Sequence, residues 1–120
     1  MTVIVSIPSQ QYTPRTLNLS PAIPAGTKRL VVTLTREAWP EGPVGSINVN
    51  FPDGTYAGGV TMDGGEHAPN RFTGAPSTTS GVKIIGNSLN GVAQDLPAGN
   101  YAVSVVLLQT ITTSVLAERF

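Results

Sequence analysis

The chain has 120 residues, with seven basic and seven acidic side chains, no cysteine, 13 glycines and ten prolines. This is the length of one ordinary domain, enough to bury a core without metal or disulfide support, and a hydrophobic share of 40% excludes global disorder. Charged residues make up only 12%, and the basic ones (Arg15, Lys28, Arg29, Arg36, Arg71, Lys83 and Arg119) form no stripe, so direct grip on nucleic-acid phosphates is excluded.

Residues Met1 to Ile7 are largely apolar, but no basic segment precedes them and Pro8 interrupts them, which is not a signal peptide. No apolar run approaches the ~20 residues that span a bilayer. The expectation is a cytoplasmic product with no membrane partner.

Strands are expected wherever apolar side chains alternate with period two. Val3, Val5 and Ile7 alternate with Thr2, Ile4 and Ser6, and Leu17 and Leu19 with Thr16 and Asn18. Pro8, Pro14, Pro21 and Pro24 give the first third an edge-like character, because proline cannot donate to a ladder. Residues 1–24 therefore read as an extended N-terminal arm. Leu30, Val32 and Leu34 then alternate with Val31, Thr33 and Thr35, and Ile47, Val49 and Phe51 with Ser46, Asn48 and Asn50. Pro52-Asp53-Gly54 follows at once and predicts a hairpin, with proline presetting φ and glycine allowing positive φ.

Gly58 to Gly81 is rich in Gly, Pro, Ser and Thr and reads as long surface loops around one or two short strands. Only Gly91 to Leu96 and Val115 to Arg119 could hold a helical turn. Tyr101, Val103, Val105 and Leu107 alternate with Ala102, Ser104, Val106 and Leu108, and Ile111, Thr113 and Val115 continue beyond Gln109. The strand 101–108 is apolar on both faces, so Ala102, Val106 and Leu108 are expected to be covered by the N-terminal arm or by another copy of the chain. Pro-Ala-Gly occurs twice, after Ile23 and after Leu96, each time just ahead of an apolar strand, and reads as one turn used twice.

Residues that could carry chemistry are few. His67, the one histidine, lies near Asp63 and Glu66, but a tetrahedral metal site needs more His or Cys, and no EF-hand spacing surrounds Asp53, Asp63 and Glu66. No Gly-x-Ser-x-Gly nucleophile motif, phosphate loop or paired carboxylates appear. No enzyme, metal or cofactor is expected. Trp39, on a bend before Pro40, fits three roles: a core cap, a protein contact, or a stacking surface for a sugar ring.

The expected fold is thus an all-β antiparallel sandwich of about seven to nine strands. A jelly roll or a small barrel are the topologies left open. The segments Leu30 to Pro40, Gly45 to Thr55 and Gly58-Gly59, with the C-terminal Ile111 to Phe120, resemble small β-sandwich virion proteins of tailed bacteriophages that decorate capsids or tails. The resemblance implies a homo-oligomeric structural protein in the virion, with the major capsid protein among its partners and no catalytic residues. The rival expectation is a carbohydrate-binding module of adhesin or tail-fibre type using Trp39.

Overall fold

The computed structural model describes residues 2–36, 43–63 and 79–120. In chain order the strands are β1 (Thr2–Tyr12), β2 (Arg15–Leu19), β3 (Ala22–Ile23), β4 (Arg29–Arg36), β5 (Pro43–Asn50), β6 (Tyr56–Asp63), β7 (Thr79–Leu89), β8 (Val92–Gln94), β9 (Gly99–Asn100), β10 (Ala102–Leu107) and β11 (Ile111–Arg119). No helix occurs among the described residues.

A five-stranded sheet has the order β1-β11-β4-β7-β8, and a four-stranded sheet the order β2-β10-β5-β6. All their pairings are antiparallel. Setting aside the short β3, β8 and β9, the first long strand pairs with the last, the second with the last but one, and so inward to the β5–β6 hairpin. A long double ribbon wrapped in this way into two facing sheets is a jelly roll. The small β3–β9 ladder closes one end.

The core follows the alternation. Leu30, Val32 and Leu34 of β4 and Val115 and Ala117 of β11 face Ile47 and Val49 of β5 and Val103, Val105 and Leu107 of β10, all buried. Tyr101 is fully buried, meets Phe51 edge to face at 5.7 Å between ring centres, and donates its hydroxyl to the Pro97 carbonyl at 2.7 Å. Burial pushes its phenol pKa up. The buried Thr113 hydroxyl is satisfied by the Thr35 carbonyl at 2.6 Å.

The expected hairpin is present. Gly54, at φ 90°, donates its N–H to the Phe51 carbonyl at 2.9 Å, and Phe51 donates to Thr55 at 2.8 Å. Asp53 accepts the Thr55 hydroxyl at 2.6 Å and the Thr55 N–H at 2.9 Å, which hold its carboxyl below the ordinary 3.8.

Residues 2–24 are extended but paired: β1 lies along β11 and β2 along β10. The two Pro-Ala-Gly turns meet each other. Ile23 pairs with Gly99, the Leu96 N–H donates to Thr27 at 2.7 Å, and Lys28 forms an ion pair with Asp95. Gly26 (φ 91°) and Gly99 (φ 135°) each supply the left-handed backbone that launches the next long strand.

Neither candidate helical turn forms. Val115 to Arg119 are held between β1 and β4, each residue in register with a partner on both neighbouring strands. Asn90-Gly91, with φ 52° and 79°, is the tight turn joining β7 to β8.

Candidate interaction surface

A jelly roll buries the inner faces of its sheets, so function falls to the outer faces, edges and loops. The outer face of the five-stranded sheet is set by strand parity. Leu30, Val32 and Leu34 point inward, so Val31, Thr33 and Thr35 point out. Register then places Ile84 beside Val31 and Val82 beside Thr33 on β7, and Leu116 beside Thr33 and Glu118 beside Val31 on β11. Val3 of β1 lies next to Glu118. Ile84 is 54% exposed, Val3 50% and Val82 43%, while Val31 and Leu116 are half-buried. Aliphatic groups therefore cluster on β4 and β7 of this face, with Leu116 alongside and Glu118 between the cluster and Val3.

An inversion on β7 produces that surface. Lys83 takes the inward position opposite Val32, while its neighbours Val82 and Ile84 face out. Gly58 on β6 makes room, since a Cβ there would lie 2.7 Å from the Lys83 Cε. A half-buried inward lysine with two exposed β-branched neighbours is the reverse of an ordinary solvated strand.

The outer face of the four-stranded sheet is different. Ala102, Ser104 and Val106 of β10 point outward, with Thr16 and Asn18 of β2 on one side and Ser46, Asn48 and Asn50 of β5 on the other. Ala102 is exposed and Val106 half-buried. They stand singly among amides and hydroxyls, and among the described residues no strand lies over them: β2 flanks β10 within the same sheet. Leu108, 56% exposed, follows the end of β10. Hence the second apolar face read from residues 101–108 is broken by Ser104 and by its polar neighbours, and the broader aliphatic surface lies on the other sheet.

Trp39, Glu66 and His67, on which the sugar-stacking and metal readings rest, fall outside the described residues. Among the described residues, no group of three His, Cys, Asp or Glu side chains could hold a metal ion. No described helix is long and apolar enough to cross a membrane.

The surface thus belongs to a jelly roll that offers broad sheet faces. No protein-family model matches the chain, and no curated protein does. Among solved structures it is similar to the C-terminal domain of a structural protein from Sulfolobus turreted icosahedral virus. That likeness has 17% identity and a TM-score of 0.42, and covers 94% of this chain and 95% of that one. A second likeness, to a structure of infectious bursal disease virus Gt strain, has 12% identity and a TM-score of 0.37, and covers 97% of this chain but 30% of that one. The VP2 protein of infectious bursal disease virus in T=1 particles matches at 12% identity and a TM-score of 0.32, over 97% of this chain and 37% of that one. All three come from viruses, and at TM-scores this low they carry no argument about what this chain does.

Proposed function

We propose that this chain is a non-enzymatic structural protein of a bacteriophage virion that decorates or cements the capsid by adhesion to neighbouring shell proteins and to its own copies. The observation that carries the reading is the aliphatic cluster on the outer face of the five-stranded sheet, where exposed Val82 and Ile84 lie beside half-buried Val31, with Leu116 on the neighbouring strand. Contiguous aliphatic groups on an outer sheet face suit an interface better than water. With net charge zero and only 12% charged residues, the chain has little repulsion between copies to overcome. Leu108 adds a second apolar contact at the end of β10. The sequence resemblance to phage decoration proteins supplies the virion setting, and double-sheet jelly rolls serve in capsids as well as in lectins.

Mass spectrometry of gradient-purified virus particles tests this. The chain should band with the particles in a fixed ratio to the major shell protein. Its confinement to the soluble fraction at the top of the gradient would refute the reading.

A further inference from the structure

We infer that the outer face of the four-stranded sheet binds a neutral oligosaccharide, with Tyr56 as the stacking platform. Three registered rows cross this face. The middle row runs Asn18, Ser104, Asn48 and Gly59, flanked by Thr16, Val106, Ser46 and Thr61 on one side and by Ala102, Asn50 and Tyr56 on the other. Among the described residues none of these rows carries a charge. The aligned groups are amides and hydroxyls, with Ser104 donating to Asn18 at 3.4 Å and Asn48 to Ser46 at 3.2 Å.

Tyr56 supplies the second feature. Its phenol oxygen lies 2.5 Å, and the Asn48 amide oxygen 2.7 Å, from the point where a Gly59 Cβ would stand. The phenol tip therefore reaches back over Gly59, into space that a side chain there would contest. Tyr56 remains 64% exposed. A tyrosine laid along a sheet and left open to water presents a flat aromatic surface with a polar tip.

Sugars match both features. The C–H face of a pyranose packs on an aromatic ring, and its paired hydroxyls exchange hydrogen bonds with the amide groups of Asn48 and Asn18, each both donor and acceptor. The absence of cations on the rows selects against sulfated, sialylated or phosphorylated ligands, whose charge would go unpaired. The site lies on the sheet opposite the proposed adhesive face and uses residues other than Trp39, so it stands or falls independently of the assembly reading.

Affinity electrophoresis tests it, with the purified chain run through gels containing dextran, mannan, xylan or galactan, and with dextran sulfate as the charged control. At least one neutral polysaccharide should retard the wild type. Tyr56→Ala and Asn48→Ala should each weaken that retardation by about tenfold, while Tyr56→Phe, which keeps the ring, should stay within a few-fold of wild type. Circular dichroism melts of the three variants check folding. No retardation by any neutral polysaccharide, retardation by dextran sulfate alone, or full retardation of a folded Tyr56→Ala chain would each overturn the proposal.

Discussion

Replacing Ile84 with glutamate probes the adhesive face with little damage to the fold. Ile84 is 54% exposed on β7, and its backbone partners in β4 are unaffected by the change. The intrinsic cost to the isolated chain is therefore under ~1 kcal/mol, the span of strand propensities. Association is another matter. Burying the exposed half of an isoleucine contributes roughly 1–1.5 kcal/mol, and forcing an unpaired carboxylate into the same contact costs at least another ~2 kcal/mol. Together these weaken self-association by roughly 10²–10³-fold. Sedimentation velocity at tens of micromolar reads the effect directly: the wild type forms oligomers and Ile84→Glu sediments as a monomer with an unchanged circular dichroism spectrum. Val106→Glu, among the polar groups of the opposite sheet, should sediment like the wild type. If wild type and Ile84→Glu have the same size, or if Val106→Glu alone dissociates the oligomer, the adhesive face has been placed on the wrong sheet.

Three further outcomes follow from the geometry. Gly45→Ala puts a Cβ 1.7 Å from the Val106 carbonyl oxygen at a φ of 152°, so β5 must move off β10. Strain of ~1–3 kcal/mol plus about two ladder bonds near 1 kcal/mol each should lower Tm by on the order of 10–20 °C, and an unchanged melt would mean the close approach is absent. Asp53 has a folded pKa lowered first by the Thr55 hydroxyl and then by the Thr55 N–H, so the ionised form is favoured by folding. Its contribution should be full above the ordinary pKa of 3.8 and disappear as pH falls through the lower folded value, so melts of wild type and Asp53→Ala should differ at pH 7 and converge in acid. With one histidine and no cysteine in the sequence, EDTA should leave Tm unchanged, and a fall of several degrees would reveal a structural metal.

Most of the sandwich was legible from period-two alternation. Leu30-Val32-Leu34, Ile47-Val49 and Val103-Val105-Leu107 gave the correct inward faces, because in a two-layer fold burial and parity are the same information. Pro52-Asp53-Gly54 gave its hairpin because the turn chemistry is local. The β7–β8 hairpin was missed although Asn90-Gly91 carries a strong hairpin signal: Leu89 and Val92 beside it are 63% and 61% exposed, so the turn ends a protruding ribbon without an alternating core pattern. Strand β7 was hidden for a related reason. Lys83 faces in while Val82 and Ile84 face out, so the aliphatic surface that matters most is written in an inverted pattern that only the register with β4 decodes. Tyr56 could not be singled out from sequence, because its posture depends on Gly59 three residues away and on Asn48 across the ladder.

The proposed role is adhesion to a virus particle through the outer face of the five-stranded sheet. Particles made without this chain, incubated with purified protein and pelleted, test that role directly. The wild type should rebind saturably at a fixed copy number per particle, and Ile84→Glu, folded but altered on that face, should stay in the supernatant. A wild type that fails to rebind, or an Ile84→Glu chain that rebinds equally well, would contradict it.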